Sequence, residues 1–144
     1  MVESDTVKLL RECDAGVKMG VKSIDDVIGA VKSHELKTKL CDCKYEHEEL
    51  GEKIRTHLER LHDDGKDPNP IATGMSWIKT SVKLAIKESD KTVASLMTDG
   101  CNMGVKSLNR YLNQYEAADE FSKDIAKRLI NLEEKLALDI REYL

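Results

Sequence analysis

Residues 34–62 read HELKTKLCDCKYEHEELGEKIRTHLERLH, and their spacing decides the fold. Leu36, Leu40, Cys43, His47, Leu50, Ile54, His57 and Leu61 follow one another at alternating steps of four and three. Those steps keep one face of an α-helix turned toward partner helices, while the Lys and Glu residues between them face water. Upstream, Val7, Leu10, Asp14, Val17, Val21, Ile24, Ile28 and Val31 form the same seam. The first helix is expected from Ser4 or Asp5, either a good N-cap, to about Val31 or Lys32. Ser33 then caps a second helix that runs to Leu61 or His62. Two long helices with almost no linker fold back as an antiparallel hairpin.

Downstream lies the one unmistakable loop. Asp63-Asp64-Gly65-Lys66-Asp67-Pro68-Asn69-Pro70 carries a Gly, two Pro and three Asp, which stop a helix. Ile71, Met75, Ile78, Val82 and Ala85, with Trp77 beside them, then mark a shorter helix that ends near Glu88. Ser89 or Asp90 caps the next helix, whose seam is Ala94, Met97, Cys101, Gly104, Leu108 and Tyr111. Asn113-Gln114-Tyr115-Glu116 fits a capping box for the last helix. The seam of that helix is Ala118, Ser122, Ile125, Leu129, Leu132, Leu136 and Tyr143, apolar apart from Ser122.

The whole-chain balance agrees with an all-α domain spanning residues 1–144. The chain is 40% apolar and 35% charged, with only six aromatic residues, too few β-formers for a sheet protein. A length of 144 residues suits a single core. The net charge is −4 at a pI near 5.6, and basic residues are interleaved with acids rather than gathered in a stripe. Nucleic acid is therefore not the expected partner. No apolar run approaches the roughly 18–20 residues that span a bilayer, and Glu3 and Asp5 stand where a secretory signal carries basic residues. A soluble cytoplasmic protein without a membrane partner is expected.

An internal repeat divides the chain into halves. Met19-Gly20-Val21-Lys22-Ser23 recurs identically as Met103-Gly104-Val105-Lys106-Ser107, each copy shortly before a helix–helix turn. Glycine inside a helix costs about 1 kcal/mol relative to alanine, so Gly16, Gly20 and Gly104 are expected to serve close backbone approach. The connection from Asp63 to Ser89 is too long for a tight turn and suits a crossover along the bundle.

With these features the chain resembles a bacterial family of ferritin-like four-helix bundles of unassigned function, over nearly all of residues 4–143. The resemblance rests on the helix lengths, on the turn Lys32-Ser33-His34-Glu35-Leu36, on Met75-Ser76-Trp77-Ile78-Lys79 in the crossover, and on Asp99-Gly100-Cys101-Asn102-Met103-Gly104. It implies a ferritin-like up-down four-helix bundle with a long crossover that contains a short extra helix. The wider superfamily implies a di-metal carboxylate centre, with a Glu from two helices and Glu-x-x-His from the other two. Here the only Glu-x-x-His is Glu59-Arg60-Leu61-His62, off the seam at a helix end, and the last helix has no histidine. That argues against ferroxidase or oxygenase chemistry.

The chemistry-bearing residues are then the polar interruptions of the seams. Cys43 and His47, spaced i and i+4, share one helix face and could bind a zinc or iron ion. Counting helical rise places Cys101 at a similar height and Asp14 about 9 Å away along the axis. Cys43, His47, Cys101 and Asp14 are the candidate metal ligands. The plainer reading gives a core histidine bonded to a backbone or Tyr115 oxygen, buried free thiols at Cys13, Cys41, Cys43 and Cys101, and Asp14 either at a bundle end open to water or paired with Lys53 or Arg55. No Ser/His/Asp or Cys/His/Asn order marks a hydrolase, and no glycine-rich phosphate loop is present. The leading expectation is a non-catalytic bundle with a stress or redox role. The alternatives are a mononuclear metal protein centred on Cys43 and His47, and an interaction module that forms a homodimer.

Overall fold

The computed structural model describes residues 4–68 and 89–144. Four long helices account for most of them: α1 (Asp5–Ile28), α2 (His34–Arg60), α3 (Ser89–Gln114) and α4 (Glu120–Ile140). A single 3-10 turn, Arg141–Tyr143, follows. No strand occurs among the described residues. The extra helix expected around Trp77 lies outside them.

Local chemistry sets most of the boundaries. Ser4 Oγ accepts from the Val7 amide and Ser33 Oγ from the Leu36 amide, each at 3.2 Å, so both expected caps open their helices. α1 stops three to four residues short of its expected end. Gly29 caps it, and the Ala30 and Val31 amides close the last turn on Val27 and Ile28 carbonyls. Residues 29–33 are then free to reverse the chain. α2 ends on His62, which adopts a left-handed φ of 58°. The His62 amide bonds the Glu59 carbonyl and the Asp63 amide bonds the Leu58 carbonyl, the paired closure of a Schellman motif. The last helix does not start from a capping box at Asn113–Glu116. α3 continues through Gln114, and Asp119 caps α4 by accepting from the Ser122 amide at 2.8 Å.

Hydrogen bonds between the ends fix the topology. Asp90 accepts from the Lys32 and Ser33 amides at 2.7 and 3.0 Å, which ties the start of α3 to the α1–α2 turn. Asp5 and Thr6 accept from the Ala117 and Asp119 amides, tying the start of α1 to the α3–α4 turn. Lys39 Nζ reaches the Asp139 carbonyl at 3.0 Å and Glu142 at 2.7 Å, so α4 ends where α2 begins. α1 therefore runs parallel to α4, and α2 parallel to α3. The chain leaves α2 at one pole of the bundle and enters α3 at the other. α1 packs against the other three helices, and α4 does the same.

The core divides into two apolar clusters along the bundle axis. One gathers Leu9, Leu10, Cys13 and Val17 with Leu50, Ile54 and Leu58, Leu108, and Ile125 to Ile130 of α4. The other gathers Ile24 and Val27 with Leu36, Leu40 and Cys43, Val93 to Cys101 of α3, and Leu136 and Ile140. The seams drift slightly from their sequence reading. In α2, Leu58 is buried and Leu61 is 40% exposed, because the Schellman closure turns the chain away after Arg60.

Candidate functional site

Between the two clusters lies a layer made of one residue from each helix: Gly20, His47, Gly104 and Glu133. His47 falls between the buried Cys43 and Leu50, and Glu133 between Ile130 and Leu136. Each is the thirteenth residue after the first of its helix, 47 − 34 and 133 − 120, so the two stand at equal depth in their hairpins. Each faces a glycine of the duplicated pentapeptide. A Cβ at Gly20 would come within 2.7–2.8 Å of the His47 ring, and a Cβ at Gly104 would overlap the Glu133 carboxylate. The glycines were expected to let backbones approach. They act instead as notches that admit a polar side chain from the neighbouring helix.

His47 is only 2% exposed. Its Nδ1 lies 2.8 Å from the Cys43 carbonyl and 3.5 Å from Cys43 Sγ. A carbonyl can only accept, so Nδ1 carries the proton and donates it there. Nε2 turns to the opposite side, where Glu133 Oε1 is 4.0 Å away, beyond hydrogen-bond reach. Both Nε2 of His47 and Oε2 of Glu133 are buried with no hydrogen-bond partner. A cavity of about 40 Å³ adjoins them, lined also by Gly20, Ser23, Cys43 and Cys101. That is room for about one water-sized particle.

Burial shapes the electrostatics. Desolvation opposes protonation of His47, but the Cys43 sulfur and the Glu133 carboxylate outweigh it and lift the imidazole to about 10. Desolvation raises Glu133 above the usual carboxylate value, against the pull of His47. The shared direction is a pair that keeps one proton between its members, since neither can hold an isolated charge in an apolar core. Cys101 is raised well above an ordinary thiol, first by burial and then by the nearby Glu133 carboxylate. Cys13, in the other cluster, is pushed up to about 12 by burial and by Glu12 and Asp14.

Three of the four residues singled out from the sequence, Cys43, His47 and Cys101, therefore line one cavity. Asp14 does not join them. It sits beyond Val17, six residues before Gly20 on α1, accepting from the Lys66 amide at 2.9 Å and pairing with Lys18 at 2.9 Å. Its partners are thus Lys18 and the loop after α2, rather than Lys53 or Arg55. His47 bonds a backbone carbonyl, and Tyr115 stacks instead on Tyr111 in the other half of the core. Glu59-x-x-His62 is exposed, with His62 engaged in ending α2.

Glu133 escaped the sequence reading. From Leu129 the seam can step by three to Leu132 or by four to Glu133, and hydropathy favours the apolar step. The structure takes the other: Leu132 is half-buried and Glu133 buried. The signal available was the repeat itself, because a second glycine at Gly104 implies a second large side chain seated in it.

Among the described residues no group of three or more His, Cys, Asp or Glu is placed to hold a metal ion. Larger clefts of about 440 Å³ lie on the surface, one beside His57 and Phe121. There Arg128 is already paired with Asp124 at 2.9 Å, and His57 stacks on Phe121 at 4.4 Å. Compared with protein-family models, with curated proteins and with solved structures, the chain finds no match.

Proposed function

We propose that this chain is a ferritin-like four-helix bundle with a binding or protective role rather than a catalytic one, of the kind used in stress or redox adaptation. The observation that carries the reading is connectivity. Two antiparallel hairpins are arranged with α2 parallel to α3, and an order of hairpin, long connection and hairpin supports the ferritin-like reading. One copy of the pentapeptide in each hairpin, each facing a polar residue of equal depth, supports the same reading.

The residues at the centre favour binding over turnover. Di-iron chemistry uses four carboxylates and two histidines on facing helices. The central layer offers one histidine and one carboxylate, and α4 contains no histidine. The thiols of Cys13 and Cys101 are held protonated by burial, whereas a reactive cysteine works as its thiolate.

Oxygen consumption by the anaerobically purified protein after addition of ferrous iron tests the non-catalytic part. The rate is expected to equal that of iron in buffer. Catalysed uptake that disappears in Glu133→Gln would overturn it. The protective part predicts that cells deleted for this protein recover from peroxide more slowly than their parent, and equal recovery would sink it.

A further inference from the structure

The central layer spends stability that an apolar layer would keep. Two helix-interior glycines cost about 1 kcal/mol each. Two buried polar atoms without partners cost about 1–3 kcal/mol each. His47 Nε2 and Glu133 Oε1 stand 4.0 Å apart, with a cavity beside them.

That separation has a chemical reading. Zinc binds imidazole nitrogen at about 2.0–2.1 Å and carboxylate oxygen at about 2.0–2.2 Å. An ion between the two groups would set N···O at about 3.4 Å for a tetrahedral angle and about 4.2 Å for a linear one. The observed 4.0 Å is nearer the linear limit, so tetrahedral binding draws the two groups together by about 0.6 Å. The imidazole is also prepared for it. Nδ1–H is fixed on the Cys43 carbonyl, so Nε2 is the ring atom directed at Glu133, and a bound ion takes the place of the proton that the two groups share, which leaves to solvent. A ring nitrogen donating to a backbone carbonyl while the other binds metal is the usual orientation of a ligating histidine.

We propose that the layer between the two core clusters binds one divalent transition-metal ion of the zinc or ferrous class, with His47 Nε2 and the Glu133 carboxylate as its first two protein ligands. Cys101, on the same cavity wall, supplies the third after a turn about its Cα–Cβ bond, losing its proton to solvent as the metal–sulfur bond forms. Water completes the tetrahedron. Cys43 orients the imidazole through its carbonyl and is not a ligand, since it lies on the Nδ1 side. Asp14 has no part in the site. The ion reaches it past Gly20 and Gly100, which line the cavity and are only partly buried.

The test uses the full chain without an affinity tag, titrated anaerobically with zinc or with cobalt(II) as a spectroscopic probe. One ion per chain is expected, with a thiolate-to-cobalt charge-transfer band. Cys101→Ser is expected to remove the band. His47→Gln and Glu133→Gln are expected to weaken binding at least tenfold while keeping the helical circular dichroism of the parent. Cys41→Ser, which alters the exposed thiol, is expected to bind as the parent does. Should the Gln variants fail to fold, the charge-transfer band in the parent and its loss in Cys101→Ser carry the test. Absence of stoichiometric binding by the parent would overturn the proposal, as would a band that survives Cys101→Ser and vanishes in Cys41→Ser.

Discussion

One methyl group gives opposite results at two glycines a turn apart in α3. At Gly100 an added Cβ meets nothing within 4 Å, whereas at Gly104 it overlaps the carboxylate of Glu133. Gly100→Ala is therefore expected to raise stability by about 0.5–1 kcal/mol, the ordinary helix gain. Gly104→Ala obtains the same gain but forces Glu133 from its notch, and overpacking of this kind costs about 1–3 kcal/mol. Urea denaturation of the two variants should place their midpoints on opposite sides of the parent. Equal shifts in the same direction would show that the notch carries no strain. At Gly20 the obstructing atoms belong to the His47 ring, which is held at Nδ1 and has little freedom to yield.

At the scale of elements, the loop after α2 is held to α1 by side chains. Arg11 forms a two-pronged contact with Asp63, and the Lys66 amide donates to Asp14. The Arg11 guanidinium holds the Asp63 carboxyl below the usual carboxylate value, with a further contribution from the Gly65 amide. A carboxyl depressed in the folded state stabilises it fully above its unfolded value of about 3.9 and loses that contribution as pH falls through the folded value. Asp63→Asn is thus expected to be less stable than the parent at pH 7, with the gap narrowing at pH 3. An unchanged gap in denaturation midpoints at the two pH values would refute the pairing as a source of stability. How much of each element was legible follows from the same local chemistry. Ser4 and Ser33 announced their caps because a short hydroxyl before an apolar-periodic run has few other uses. Cys43, His47 and Cys101 were legible as a group because a polar residue on an apolar seam has nowhere to point except inward. Asp119 was missed as a cap because α3 outlasts its seam through Gln114, which moves the turn. Glu133 was missed because helical periodicity permits two next steps and a hydropathy reading takes the apolar one. Asp14 was legible as a polar break in the seam, but of its partners Lys18 lies one turn on in its own helix and the Lys66 amide comes from a loop whose path no periodicity describes.

Across the whole molecule, the bundle is two apolar halves meeting at a polar plane. Removing one member of a buried pair leaves the other without compensation and costs about 3–5 kcal/mol, while replacing both by apolar residues is neutral or stabilising by about 1–4 kcal/mol. His47→Leu and Glu133→Leu are each expected to lower stability. The double variant is expected to match or exceed the parent, because it fuses the two clusters into one core. A double variant as weak as the sum of the singles would mean that the pair is not coupled. The parallel course of α1 and α4 has a mechanical counterpart. The first residue of α1 and the last of α4 lie at opposite poles, about 36 Å apart for a helix of 24 residues. Tension applied to those two points slides neighbouring helices lengthwise past one another, so every packed layer must give way together. In an up-and-down bundle whose ends share a pole, the same tension peels one helix off turn by turn. The order of connections therefore makes this small bundle stiff along the direction in which its ends are pulled.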